Sequence, residues 1–172
     1  VFEDCDLAVE WCENDLLHGA GLDPYGYDEA LGVFLERELG SSEKAERVLA
    51  YLERRELEKG AHLMRQGDET DALYFIESGK VAVELEIGED EPVRLRSIGP
   101  GTVGEIGLYI GLPRTASVVA EDQGTVHRLS AAALARMERD DPDLAAAFHK
   151  FIARRLANRL ANTTEVLQRV LE

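Results

Sequence analysis

The stretch Gly104-Glu105-Ile106-Gly107-Leu108-Tyr109-Ile110-Gly111-Leu112-Pro113-Arg114-Thr115-Ala116-Ser117-Val118 decides how the chain reads. Gly104 to Gly107 lies between strand-like segments and is expected to close one short helical turn with exposed backbone N–H groups. Such a helix start attracts an anion, and glycine lets the anion come close. Pro113 stiffens the chain just before Arg114, and the small Thr115 and Ala116 follow it. An arginine inside a strand-rich apolar stretch is costly unless paired. Its planar fork suits a phosphate better than a lysine point charge does. Glu105 cannot face a phosphate, but it can accept a hydrogen bond from a hydroxyl such as a ribose 2′-OH. An acceptor for sugar, a fork for phosphate and a ring of amides together describe a nucleotide site.

Outward from this stretch, residues 54 to 129 read as strands. Val81, Val83, Leu85 and Ile87 alternate with Ala82, Glu84 and Glu86, which predicts a strand with one buried face. Leu73-Tyr74-Phe75-Ile76 is strand-like, and Ser78-Gly79 supplies a hairpin turn. Gly67-Asp68, Gly88 through Pro92 and Gly99-Pro100-Gly101 mark further turns. Short strands with frequent turn signals predict a β-barrel or sandwich, so the fold class is mainly β with flanking helices.

The flanks read as helices. Leu7, Trp11, Leu16 and Leu17 recur at helical spacing over 3–17. Further helices are predicted over 28–39 and 43–53, the second capped by Ser42. Ser130 is predicted to cap a helix ending near Arg139, and Asp141-Pro142 to open the next. Leu144, Phe148, Ile152, Leu156 and Leu160 then recur every four residues, with Leu167 and Leu171 beyond, which predicts a long amphipathic helix. Arg154, Arg155 and Arg159 on that helix read as a solvated face.

Composition narrows the function classes. The chain has 172 residues, 45% of them hydrophobic, and a formal net charge of −15. That charge argues against a nucleic-acid partner, because phosphate backbones are bound by clustered Lys and Arg. No apolar run approaches the roughly 18 residues of a membrane span. Residues 1–18 are acidic and do not resemble a secretory signal. The chain opens on Val1, so it is expected to be a segment of a longer protein. Cys5 and Cys12 would lie roughly 10 Å apart on one helix, too far for a disulfide, and free thiols suit a reducing cytoplasm. His18, His62, His127 and His149 show no metal-ligand spacing. No recognisable catalytic motif is present, so no enzyme is expected within this chain.

The segment from Gly104 to Val118 resembles the phosphate-binding cassette of the cyclic-nucleotide-binding domain family. That family's pattern is Gly-Glu-[Leu/Ile]-[Ala/Gly]-Leu, a variable loop, then Arg-[Ala/Thr/Ser]-Ala-[Ser/Thr]-Val, and every element is met here. Gly60, Gln66-Gly67-Asp68, Gly79 and Gly99-Pro100-Gly101 stand where the family places its turns, so the resemblance covers residues 43–172 and implies a β-roll or jelly roll with a long C-terminal helix. It implies that Gly104, Glu105, Ile106 and Gly107 form an amide cradle. Glu105 would hold the ribose and Arg114 the cyclic phosphate, with Thr115 and Ala116 beside it. The implied ligand is cyclic AMP or cyclic GMP, and Thr115 does not decide between them. No cofactor or metal is implied. The family's last helix covers the base, and Thr163 and Thr164 fall where hydroxyls meet adenine in the activator-type members. Arg155 or Arg159 stacking on the base is the alternative there.

The N-terminal stretch is similar to the last helix of STAS domains, the cytoplasmic tails of SulP-type anion transporters. The implied division is 1–20 a STAS-like terminal helix, 21–42 a helical linker and 43–172 the nucleotide-binding domain. The expected partners are a cyclic nucleotide and the domains of a parent transporter, with no nucleic acid and a homodimer through the last helix. The expected place is the cytoplasm, tethered at the inner membrane. Two other readings stay open. One is a nucleotide-free scaffold of the same fold that dimerises through the last helix. The other is a regulatory tail of a different parent, such as a glutaminase.

Overall fold

A computed structural model describes residues 30–88 and 92–171, with side chains in the last helix as far as Ala161. The helix expected over 3–17, both cysteines and His18 lie outside the described residues. Helices α1 (Leu31–Leu39) and α2 (Ser42–Leu49) lead into eight strands. These are β1 (Glu53–Leu57), β2 (His62–Met64), β3 (Ala72–Ser78), β4 (Val81–Leu85), β5 (Val93–Ile98), β6 (Gly101–Val103), β7 (Ser117–Ala120) and β8 (Gly124–Ser130). A short α3 (Glu105–Ile110) interrupts them between β6 and β7, and α4 (Ala131–Asp140) and α5 (Pro142–Leu171) close the chain. The strands form two antiparallel four-stranded sheets, in the orders β1-β8-β3-β6 and β2-β7-β4-β5. This is the β-roll with flanking helices and a long C-terminal helix expected from the sequence.

The roll encloses one apolar core and the helices build a second. Tyr74, Ile76, Val81, Val103, Val118 and Val126 pack inside the roll. Leu73, Phe75 and Leu129 point the other way and meet Leu35, Val48, Met137, Leu144, Phe148, Phe151 and Ile152. Strand β3 therefore buries both faces, which is why Leu73-Tyr74-Phe75-Ile76 is apolar at every position instead of at every second one. Phe75 lies 6.2 Å from Phe148, edge to face, and 6.3 Å from Phe151, stacked. Both spacings are favourable aromatic contacts. Glu77, near the end of β3, accepts from the Leu31 backbone N–H at 3.0 Å and faces His127 Nε2 at 3.0 Å, so one carboxylate ties the start of α1 to the sheet.

Three sequence expectations are corrected here. Ser41, not Ser42, caps α2: its hydroxyl accepts from the Lys44 backbone N–H at 3.3 Å. Ser41 has the extended backbone a cap requires, while Ser42 is already helical. The alternation through Ile87 stops early, because β4 ends at Leu85 and Ile87 is 57% exposed. Arg155 and Arg159 of α5 do not lie on a solvated face, whereas Arg154 is half exposed. Arg154 bonds the carbonyl and carboxylate of Glu38 at 2.8 Å each, Arg155 lies over the Phe34 ring at 5.7 Å, and Arg159 reaches the roll. The helix packs back onto α1 and the roll along this length, so its cations meet partners there.

The Ser130 cap is present, with its hydroxyl accepting from Ala133 N–H at 3.1 Å. Along α5, Leu144, Phe148 and Ile152 are fully buried and Leu156 is partly so, but Leu160 is 69% exposed. The four-residue repeat thus follows the core only to about Leu156.

Phe148→Ala removes a fully buried ring from the middle of the helical core. It should lower unfolding free energy by about 3–5 kcal/mol, read by urea denaturation, and a loss below about 1 kcal/mol would contradict the packing described. Burial pushes the Glu77 carboxyl up, but the Leu31 N–H and His127 outweigh it and hold the group below its ordinary 4.5. A depressed carboxyl contributes stability above its unfolded value and loses it as pH falls through the folded one. Stability should therefore drop on acidification below about pH 4.5, and Glu77→Gln should make that acid limb shallower.

Candidate functional site

The cassette quoted from the sequence runs from the end of β6 through α3 to the start of β7. Gly104 begins it with φ +82°, a left-handed backbone that favours glycine. A Cβ there would stand 2.7 Å from Arg114 Nη1 and 2.9 Å from Met64 Cε. At Gly107 a Cβ would meet Thr70 Oγ1 at 2.5 Å and the Leu112 carbonyl at 3.0 Å. Both glycines therefore let α3 lie flat against its neighbours.

Arg114 is 5% exposed and holds this arrangement together. Its Nη1 donates to the Gly104 carbonyl at 3.0 Å. Its Nη2 donates to the Ala72 carbonyl at 2.7 Å and to Asp71 Oδ1 at 3.3 Å. Its backbone is gripped by the turn before β3: Gly67 N–H donates to the Arg114 carbonyl at 2.9 Å, and Arg114 N–H to the Asp68 carbonyl at 2.8 Å. Three side-chain bonds use part of a fork that has five N–H donors, and Arg114 lines the neighbouring cleft.

Glu105 is 1% exposed. One oxygen accepts from Arg159 of α5, whose other nitrogen donates to the Thr102 carbonyl at 3.0 Å. The second oxygen, Oε2, has no partner among the described residues, and neither has the buried Thr102 Oγ1. Buried acceptors left unpaired cost about 1–3 kcal/mol each, so they mark a place where a donor belongs. Glu105, Arg114 and Arg159 border a small open cleft with about 70 Å³ of enclosed space. Its polar lining is Arg96, Glu105, Arg114, Thr115 and Arg159, and its apolar lining includes Met64, Val83, Ile98, Val103, Ile106 and Val118.

Seven of the nine residues expected from the sequence line this one cleft: Gly104, Glu105, Ile106, Gly107, Arg114, Thr115 and Ala116. Thr163 and Thr164 belong to α5, but their side chains lie outside the described residues. Arg159, read first as solvated or as stacking on a base, instead pairs with Glu105. Asp71, Thr102 and Arg96 were missed. Asp71 and Thr102 bear on the site only through contacts made by the fold, and no local motif announces them. A further link runs from Tyr109 of α3, whose hydroxyl lies 2.7 Å from His149 Nδ1, to Glu138, 3.2 Å from His149 Nε2. Burial, with Glu138 and Glu105 nearby, pushes the Tyr109 phenol up, so it stays protonated as a hydrogen-bond donor. Among the described residues no cluster of His, Cys, Asp or Glu suits a metal ion, and no helix is long and apolar enough to cross a membrane.

A roll that presents a buried Glu–Arg pair on a glycine-framed turn defines a nucleotide-sensing module. The chain belongs to the cyclic nucleotide-binding domain family, whose model matches residues 54–141. It is 30% identical over 158 residues to Glutaminase 1 of Bradyrhizobium diazoefficiens, covering 90% of this chain and 25% of that protein. It is 39% identical over 64 residues to the cAMP-dependent protein kinase type II regulatory subunit of Drosophila melanogaster, covering 37% of this chain and 17% of that one. The chain thus spans a quarter or less of these relatives. Among solved structures, a cyclic nucleotide-binding domain from Methylobacillus flagellatus shares the fold, with a TM-score of 0.70 at 22% identity over 81% of this chain and 85% of that one. The Thermus thermophilus catabolite activator protein matches with a TM-score of 0.58 at 29% identity over 72% and 59%.

Gly104→Ala should destabilise the chain by about 1–2 kcal/mol from backbone strain alone, with more from the crowding of Arg114. Thermal melting checks it, and an unchanged midpoint would show that the turn does not need glycine.

Proposed function

We propose that the cleft binds cyclic AMP or cyclic GMP and that binding is read out through α5. The observation that carries this is Glu105: a buried carboxylate with one oxygen on Arg159 and the other without a partner. A ribose 2′-OH is the donor that fits such an oxygen, and the open part of the Arg114 fork faces the cyclic phosphate. Gly104, Ile106 and Gly107 supply the cradle, and Thr115 and Ala116 line the phosphate side.

Coupling follows from Arg159. It holds one oxygen of Glu105 while the ribose takes the other, so ligand and α5 meet on one carboxylate. A ligand on Glu105 favours the position of α5 that suits both bonds, by its differential affinity for the two positions. Thr163 and Thr164, one turn farther on, then come into reach of the base as a lid. The chain is a regulatory segment, residues 43–172, of a longer protein. The extent of likeness to a bacterial glutaminase favours a glutaminase-type parent, and the N-terminal stretch favours a SulP-type permease with a STAS domain over 1–20. In either case the segment works in the cytoplasm, and a homodimer through α5 is the expected assembly.

Calorimetry and thermal shift with each nucleotide test the reading. Ligand at 100 times its dissociation constant should stabilise the fold by about 2.7 kcal/mol, and the absence of heat and shift at millimolar nucleotide would end it. Arg114→Ala should weaken binding at least tenfold and Arg114→Lys should restore only part. Truncation after Leu160 should weaken nucleotide binding.

A further inference from the structure

The imidazole of His149 stands where three helices meet. It belongs to α5, and its ring lies edge to face with Tyr109 of α3, 5.6 Å between centroids. The Tyr109 hydroxyl is 2.7 Å from Nδ1, and Oε1 of Glu138, on α4, is 3.2 Å from Nε2. The positions one turn away on α5 itself are Ala145, Ala146, Ile152 and Ala153. Glu138 is therefore the charged side chain that faces the ring, and Tyr109 the other titratable one.

These contacts fix where the hydrogens sit. A carboxylate only accepts, so Nε2 carries a hydrogen and donates it to Glu138. The phenol stays protonated, so it donates to a bare Nδ1. The neutral imidazole thus satisfies both neighbours at once, and the imidazolium does not. With a hydrogen on each nitrogen, Nδ1 becomes a donor and meets another donor. The phenol must turn its own hydrogen away, losing the acceptor it had, before it can accept from the ring. The new charge meanwhile strengthens the pairing with Glu138. Protonation therefore transfers the hold of His149 from α3 to α4.

We infer that His149 is a proton-sensitive tie, holding the cassette helix to α5 when neutral and loosening it when charged. Histidine changes charge between about pH 5 and 8, so the tie responds to mild acidification. Gly104, Glu105, Ile106 and Gly107 line the cleft in the tied arrangement. Loosening α3 therefore costs affinity for what the cassette holds, a consequence that rests on the nucleotide reading above, whereas the tie itself does not. The loss is partial, because Arg159 also holds α3 through Glu105 and an arginine keeps its charge throughout this range.

Nuclear magnetic resonance on the ligand-free 172-residue chain, between about pH 5 and 8, tests the tie. The backbone amides of Tyr109, Ile110 and Gly111 should titrate with the same midpoint as the His149 ring, and Tyr109→Phe should remove that midpoint from them. Amides that ignore the His149 titration, or that follow it equally in Tyr109→Phe, would overturn the tie. Calorimetry with cyclic AMP and cyclic GMP over the same range tests the consequence. Affinity should fall about threefold from the neutral to the acid end, the scale of one hydrogen bond, and His149→Gln and Tyr109→Phe should each flatten the profile. An affinity that is constant with pH, or that falls equally in both variants, would overturn the coupling to the cleft while leaving the nucleotide site intact. No heat from either nucleotide at neutral pH would overturn the nucleotide reading, and the resonance titration alone then decides the tie.

Discussion

Burying a guanidinium is expensive, and this fold is arranged around doing it at Arg114. Removing a full positive charge from water costs several kcal/mol unless hydrogen bonds replace the solvent. Here the replacements are the carbonyls of Gly104 and Ala72 and the carboxylate of Asp71. Gly104 belongs to the cassette while Asp71 and Ala72 are neighbours at the start of β3, so satisfying one side chain ties the cassette to that strand. Asp71 also binds Arg128 at 2.6 Å, and despite some burial its carboxyl stays below the ordinary range. The turn that carries Arg114 is thereby held in place by the protein's own groups.

Strand β3 and helix α5 carry this local order across the molecule. The first contributes to both apolar cores through its two faces. The second packs Phe148 and Ile152 against it and then passes the cleft, where Arg159 meets Glu105. Helix α3 is held to α5 twice, by that ion pair and by Tyr109 on His149. A ligand that moves α3 or claims Glu105 acts on both ties, while the larger core behind them stays packed.

What could be read in advance follows the distance along the chain. Gly104 to Ala116 could be read because the turn, the acid and the fork are contiguous, and their chemistry is visible as a string. The fold class could be read because turns and strand alternation are local properties. Arg159 was placed on the correct helix but given the wrong surroundings, since its partner is 54 residues away. Arg96 was invisible for a sharper reason. Periodicity assigns Arg94 and Arg96 to one face, and only the bulge at Leu95, a property of the pairing with β4, separates them. Ser41 and Ser42 are chemically equal as caps, so the choice between them lay in where the preceding helix stopped.

The reach of α5 past the apolar core has a mechanical meaning. Buried packing ends near Leu156, and from there to Leu171 the helix extends roughly 22 Å at 1.5 Å per residue. Arg159 grips the roll close to the inner end of that rod. A tilt of about 10° at this point would carry the far end about 4 Å, since a helix moves as a stiff element of fixed rise. On the proposed reading, a small change at one carboxylate would thus be geared up into a larger displacement at the end of the helix.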